Sequence, residues 1–243
     1  MKVDRQDLPL SVSPFDEIAA EYYDASRHPT CANFRFASTL PLEIWLAEYR
    51  GEPLCEVGCG KSLTAEILLQ RNSSLANVLL TDDSPAMLEY SRPWTAHGVQ
   101  LKLASADELP LESGSLRYLV SCLGDPYNTR SLWREVARVL APQGGVFYST
   151  PAHHWSQAFR QAQAANEAEF QLGDGRYVMI PSYIYPEAEQ TRLMEEAGLR
   201  VVDISTITLG DLATQPLSSK LLAGRGPQAP VVTYFRAVKL NAR

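Results

Sequence analysis

The chain has little of what several protein classes require. It carries 4 cysteines in 243 residues, at Cys31, Cys55, Cys59 and Cys122, with no CxxC pair and no histidine at metal-ligand spacing. That pattern argues against a disulfide framework and a structural zinc site, so no metal is expected; reduced, mostly buried thiols in a cytoplasmic protein are the reading that remains. No apolar run approaches the roughly 20 residues that a membrane-spanning helix needs. The opening stretch, MKVDRQDLPL, mixes charges of both signs and has no apolar core, unlike a secretory signal. Basic residues are outnumbered too: 22 Lys and Arg stand against 28 Asp and Glu, for a net charge of −6. A phosphate backbone or an anionic membrane surface wants a basic stripe, so neither nucleic acid nor membrane is an expected partner. Internal repeats, low-complexity tracts and long linkers are also missing.

What is present is the composition of an ordinary globular chain, 45% hydrophobic and 21% charged. At this length a sizeable core forms without staples. Residues 1–13 are polar and expected to be poorly ordered. Phe15–Tyr23 has helical spacing behind Ser13 and Pro14, and a second helix is predicted over Asn33–Tyr49, kinked or split at Pro41. From Pro53 the pattern turns regular. Apolar runs at Pro53–Val57, Val78–Thr81, Val99–Leu103, Tyr118–Cys122 and Gly145–Ser149 suit buried strands. Helices at Ser62–Gln70, after Ser84-Pro85 and at Ser131–Leu140 lie between them. This alternation means an α/β, Rossmann-like parallel sheet with helices on both faces. After Pro151 the rhythm changes. A polar helix over about Trp155–Glu169 is followed by a hairpin or lid at about 168–184 around Gly173-Asp174-Gly175. A helix over Pro186–Ala197 and strands at Val201–Leu209 and Val231–Leu240 complete the chain. The loop between those strands, with Pro216, Pro227 and Pro230, is long enough to suggest a functional segment.

The stretch that carries chemistry is Leu54-Cys55-Glu56-Val57-Gly58-Cys59-Gly60-Lys61-Ser62-Leu63. A glycine loop between the first strand and its helix lets a ligand approach the backbone closely. As a dinucleotide fingerprint, GxGxxG, it fails at its last position, Leu63. As a P-loop ending in Gly60-Lys61-Ser62 it fails at the first glycine, where Cys55 stands, and no Walker B strand follows. The third reading is a loop in which an acid, Glu56, closes the strand before G-x-G. Acids recur downstream. Asp82-Asp83 end the second strand, where a carboxylate can hold both ribose hydroxyls. Ala106-Asp107-Glu108-Leu109 follow the third, where an acid can accept from an adenine amino group. Acids after three successive strands suit a ligand with a sulfonium, an ammonium group and no phosphate.

With these motifs the chain resembles the class I S-adenosylmethionine-dependent methyltransferases, the small-molecule type similar to the ubiquinone/menaquinone group. The matching stretches are Glu56–Gly60, Asp82–Leu88, Ala106–Pro110 and Glu135–Gly145, in the family's order and spacing, within about Phe15–Pro151. The resemblance implies a seven-stranded, mostly parallel sheet with an antiparallel last strand. It implies one domain, with residues 1–50 as a helical cap over the cofactor site of a methyltransferase domain at 51–243. It also implies S-adenosyl-L-methionine as cofactor, a small-molecule acceptor, and a monomer or homodimer. Carried over residue by residue, Glu56, Gly58, Cys59 and Gly60 would border the methionine end, and Asp82 would hold the ribose. Asp83, Met87, Ala106, Asp107, Glu108 and Leu109 would lie about the adenine, and Ser121 and Cys122 near the methionine amino group. Tyr22, Tyr23 and Arg27 resemble residues that cover the cofactor. Two positions depart from the pattern: Ser62 stands where many members carry a third glycine, and Leu116-Arg117 replaces the common Phe-Asp.

Other candidates are less constrained. His153 and His154 follow the fifth strand at the carboxyl edge of the sheet, and one could serve as a general base for O- or N-methylation; the competing reading is a helix-start histidine in solvent. Asp125-Pro126-Tyr127-Asn128 has part of the [DNS]PP[YFW] motif of nucleic-acid amino-methyltransferases but lacks a proline, and reads as a turn. Phe170, Tyr177, Tyr183 and Tyr185 either line an acceptor pocket or fill the hairpin core. Lys61 reads as a solvated loop residue. A cofactor-binding protein without methyl transfer, and a nucleotide-dependent enzyme using the glycine loop, stay open as alternatives.

Overall fold

The computed structural model describes residues 13–160, 166–223 and 225–241; of the polar stretch 1–13, only Ser13 lies among them. Helix α1 (Pro14–Tyr22) starts behind Ser13, whose hydroxyl accepts from Phe15 N. Helix α2 (Pro29–Trp45) begins four residues ahead of the predicted Asn33 and runs unbroken through Pro41, ending in a single 3-10 turn, Leu46–Glu48. Pro41 removes one backbone bond, but Ala37 and Leu42 on either side are fully buried, and that packing carries the helix across it.

The sheet is built from β1 (Leu54–Val57), β2 (Val78–Asp82), β3 (Gln100–Leu103), β4 (Leu116–Ser121), β5 (Leu140–Pro151), β8 (Leu199–Thr208) and β9 (Pro230–Lys239). Its order is β3-β2-β1-β4-β5-β9-β8. β1 to β5 pair in parallel, while β9 runs antiparallel to both β5 and β8. This is the Rossmann-like seven-stranded sheet expected. The helices between the strands are α3 (Leu63–Gln70), α4 (Pro85–Glu89) and α5 (Arg130–Val139), capped by the side chains of Ser62, Ser84 and Thr129.

Alternation along the strands sends successive side chains to opposite layers. Cys55 and Val57 face α5 and α7 (Glu187–Glu196) among Leu132, Trp133, Val136 and Met194. Leu54, Leu80 and Val120 face α2 and α3 among Leu42, Leu46 and Leu68. Both faces of the central strands are therefore covered, and β1 and β2 are buried throughout.

The segment after β5 differs from expectation. The polar helix predicted to Glu169 is only α6 (His153–Gln157); residues 161–165 lie outside the described ones, and Glu167–Gln171 is a strand, β6. It pairs antiparallel with β7 (Tyr177–Pro181), with Phe170 opposite Val178. Phe170 is buried and its neighbours Glu169 and Gln171 are exposed, a period of two that decides for strand. The hairpin lies against α1: Ile18, Phe170, Leu172 and Val178 form one small core with Phe15 and Tyr22 beside it. The long loop before β9 holds a 3-10 turn, Gly210–Leu212, and a four-residue helix α8 (Ser219–Leu222).

Candidate functional site

A cavity of about 620 Å³ opens at the carboxyl end of the parallel strands, between the sheet, α1, α2 and the β6–β7 hairpin. The loop Gly58–Ser62 forms its floor. Gly58 and Gly60 hold φ of +62° and +42°, which costs glycine little and other residues much. Each also has a tyrosine against it. A side-chain carbon on Gly58 would meet the Tyr127 hydroxyl at 2.2 Å, and one on Gly60 the Tyr23 hydroxyl at 2.0 Å. Tyr127 donates to Val57 O at 2.7 Å, and Lys61 N donates to Tyr23 Oη at 2.7 Å.

Three acids surround this loop, Glu56 and Asp82 buried and Asp83 exposed. Glu56, at the end of β1, accepts from the Ser62 hydroxyl and from Thr64 N at 3.2 Å. Ser62 in turn caps α3 by accepting from Ala65 N at 3.0 Å. The serine that replaces a third glycine is thus the link between the β1 acid and the helix start. Asp82 accepts from Gly60 N at 2.9 Å and from Ser84 N at 3.0 Å. Burial raises the Asp82 carboxyl to about 6, against those two backbone donors. Asp83 accepts from Ser13 at 3.1 Å and is also raised by burial, as is Glu56. Carboxylates held against burial in one place repel an anion and stabilise a cation or a set of hydroxyl donors. The acceptors beside the loop suit hydroxyl donors or a cation, while Arg27, Arg35, Arg160 and Lys220 line the same cavity.

Of the residues proposed from sequence, Tyr22, Tyr23, Arg27, Glu56, Gly58, Cys59, Gly60, Asp82, Asp83, Met87, Ala106 and Cys122 line the cavity. Asp107, Glu108, Leu109 and Ser121 do not. Asp107 is exposed and accepts from Ser105 at 2.6 Å, while Leu109 N donates to Glu135 at 2.6 Å. Glu135 and its ion pair with Arg138 therefore shape the loop after β3, since Arg138 also donates to Leu109 O and Leu111 O. Ser121 stands behind Tyr127, their hydroxyls 3.3 Å apart. His153 and His154 do not line this cavity either. His154 is exposed, against a separate shallow groove with Arg225 and Pro227. Arg117, the second departure from the pattern, lies on β4 and donates to Gln143 O, away from the cavity.

The other end of the cavity has groups that sequence reading took for a turn or left out. Phe34, Trp155, Phe159, Phe170, Ile180 and Ile184 supply apolar wall. Among them Asp125 is 8% exposed and raised by burial to about 6. The Ser182 hydroxyl donates to Asp125 Oδ2 at 2.5 Å, and Arg160 donates to both Ser182 Oγ and Ser182 O at 2.6 Å. Asn128, three residues on, is spent on structure: it donates to Tyr183 O and Gln190 and accepts from Trp133. Tyr183 and Tyr185 lie outside the cavity lining, whereas Phe170 and Tyr177 belong to it. Only Asp125-Pro126 offered a signal in the sequence; Arg160 and Ser182 come from segments with no motif.

Residues 54–144 match the family model described as a methyltransferase domain. No curated protein sequence matches the chain. Among solved structures, one chain of the complex between the Haloferax volcanii Trm112 methyltransferase activator and a methyltransferase superposes with a TM-score of 0.67 at 16% identity, covering 95% of this chain and 100% of that one. An S-adenosylmethionine-dependent methyltransferase from Mesorhizobium loti gives 0.61 at 18% identity, over 85% and 100%. The geranyl diphosphate C-methyltransferase of Streptomyces coelicolor gives 0.59 at 16%, over 82% and 76%. At these identities the likeness is one of fold.

Proposed function

We infer that this chain, an S-adenosylmethionine-dependent methyltransferase by the domain at residues 54–144 and the fold around it, methylates a small-molecule acceptor. One observation carries the reading: the acid-rimmed glycine loop and the apolar chamber beyond it are one continuous cavity of about 620 Å³. That is room of the size small-molecule sites have. Its roof, α1 with the hairpin, fits a small acceptor better than a large one. A place near the ubiquinone/menaquinone type rests on the order and spacing of the sequence motifs alone.

The cofactor, when bound, supplies a methyl carbon already activated by a sulfonium. What the chain contributes is placement and exclusion of water. Asp82 receives the ribose hydroxyls, and its bond to Gly60 N fixes the loop on which the methionine end lies. Glu56 holds that loop from beneath through Ser62. Asp83 and Met87 border the adenine. Tyr22, Tyr23 and Arg27 close the site from above.

Titration calorimetry with S-adenosylhomocysteine on the full chain tests the donor half: binding at one site per chain is expected, and a folded protein that binds none overturns it. Release of S-adenosylhomocysteine from S-adenosylmethionine in the presence of small acceptors tests the transfer half. A protein that binds the cofactor but releases none across such a panel is a binding protein instead.

A further inference from the structure

The groups around Asp125 have a direction built into them. A guanidinium only donates, so the Ser182 hydroxyl that accepts from Arg160 at 2.6 Å must turn its own proton to Asp125 Oδ2. That oxygen is occupied as an acceptor. The other oxygen, Oδ1, is not among the buried polar atoms left without a partner, and Asp125 lines the cavity. The carboxyl is therefore anchored through Oδ2 in the wall of the chamber. Its place in the chain brings it close to the donor end, because Tyr127, two residues on, lies against Gly58 and bonds Val57 O. The surrounding wall, from Phe34, Trp155, Phe170, Ile180 and Ile184, offers an acceptor apolar contact, and Glu167 and Glu169 of β6 also line the cavity.

Resting on the methyltransferase reading above, we propose that Asp125 is a catalytic residue and that the acceptor is a compound with an apolar body and a protic nucleophile, a hydroxyl or an amine, whose hydrogen is directed at Asp125 Oδ1. In the reaction the acceptor's lone pair forms the bond to the methyl carbon, sulfur keeps the electron pair of the broken S–C bond, and the O–H or N–H proton passes to Oδ1. Arg160 and Ser182 are positioning residues that keep Oδ2 filled and the carboxyl oriented. A general base need only lie within hydrogen-bond reach of the proton it takes and be ionised at the working pH, and a carboxyl near 6 is ionised at pH 7.5.

The tyrosine, cysteine and arginine side chains that face Asp125 do not share its titration range. Tyr22 from α1, Cys31 from α2 and Tyr148 from β5 are all pushed up by burial and stay neutral to pH 8, and Arg160 stays cationic. Lys220, from α8, stands at the cavity rim over the Phe159 ring. His28, at the start of α2, lines the cavity, and His153 of α6 lies beside Arg160; a variant at Asp125 separates their contribution.

The test uses the full chain and the probes benzyl alcohol, benzylamine and toluene, by calorimetry at pH 5 and pH 8, with and without saturating S-adenosylhomocysteine. Benzyl alcohol, benzylamine or both are expected to bind the saturated protein at least about tenfold more tightly than toluene at pH 8, which tells the hydroxyl source from the amine. That preference should shrink at pH 5, where the carboxyl is protonated. Asp125→Asn, which keeps the size, should lose both the preference and its pH dependence. Asp125→Glu should recover part of each. The inference is overturned by toluene binding equally well, by Asp125→Asn keeping the pH-dependent preference, or by none of the probes binding. S-adenosylhomocysteine binding is measured first and alone, so its failure falls on the donor reading and is told apart from a failure at Asp125.

Discussion

Asp82 shows how one residue couples the free protein's stability to its ligand site. Its two oxygens are engaged by Gly60 N and Ser84 N, yet burial lifts its carboxyl to about 6. A carboxyl raised in the folded state binds more protons there than in the unfolded chain, so its contribution to stability falls as pH rises from about 4 through 6. Asp125 acts in the same direction. The free protein should melt higher near pH 5 than near pH 7.5, and Asp82→Asn should remove part of that difference, on the order of 2–3 kcal/mol at most. On the proposed ribose role, ligand binding has the opposite sign, because ribose hydroxyls would donate to the ionised form. Affinity for S-adenosylhomocysteine should rise through pH 6, and Asp82→Ala should weaken it by about 1–3 kcal/mol through lost charge-assisted bonds. Calorimetry across pH checks both, and an Asp82→Ala protein with undiminished affinity overturns the ribose role. At this scale the sequence was legible where acids close strands: Glu56, Asp82 and Asp83 all reach the cavity. It was not legible at Asp107, which a strand-end rule places near the ligand but whose side chain turns to Ser105 at the surface. Nor did it reveal Arg160 and Ser182, whose meeting with Asp125 depends on segments far apart in the chain.

Elements were read most surely where local chemistry and burial agree. Ser62, Ser84 and Thr129 each precede a helix and cap it in the structure, because a short hydroxyl side chain satisfies a backbone donor that no helix can satisfy itself. The parallel strands were equally plain, since burial on both faces leaves nearly unbroken apolar runs. The hairpin about Gly173–Gly175 was equally legible, but the first three residues of β6, Glu167–Glu169, read as helix because they are good helix formers and their pairing partner lies beyond the turn. What holds that hairpin down is apolar. Phe170 is 5% exposed, stacks on Tyr22 at 6.0 Å and touches the His28 ring at 4.2 Å. The ion pair of Arg176 with Glu17 at 2.7 Å is exposed on both sides and worth little. Phe170→Ala should therefore release the hairpin at a cost of about 3–5 kcal/mol of local stability, whereas Arg176→Ala should change it by less than about 1 kcal/mol. Limited proteolysis at residues 167–181 reads the difference, and equal sensitivity in the two variants contradicts this account.

Across the whole molecule the cavity is assembled partly from residues outside the matched methyltransferase domain. Residues 54–144 supply the glycine loop, Asp82, Asp83 and Asp125, whereas Tyr22, Tyr23, Phe34, Phe170 and Ser182 come from outside that span. The two sets are tied at several points: Asp16 accepts from the Ser84 hydroxyl at 2.6 Å and from Ala86 N at 3.2 Å, and Lys61 N donates to Tyr23. On the far side Glu21 accepts from Gly173 N at 2.8 Å, so α1 bridges the start of α4 and the hairpin. A ligand seated on the glycine loop should consequently stabilise elements remote in sequence. In hydrogen exchange, saturation with S-adenosylhomocysteine should slow amides of 14–23 and 167–181 as well as those of 56–63, because opening either roof element would expose the bound ligand. If protection stays confined to 56–63 and 82–87, the roof moves independently of the donor site, and α1 with the hairpin must be assigned to the acceptor alone.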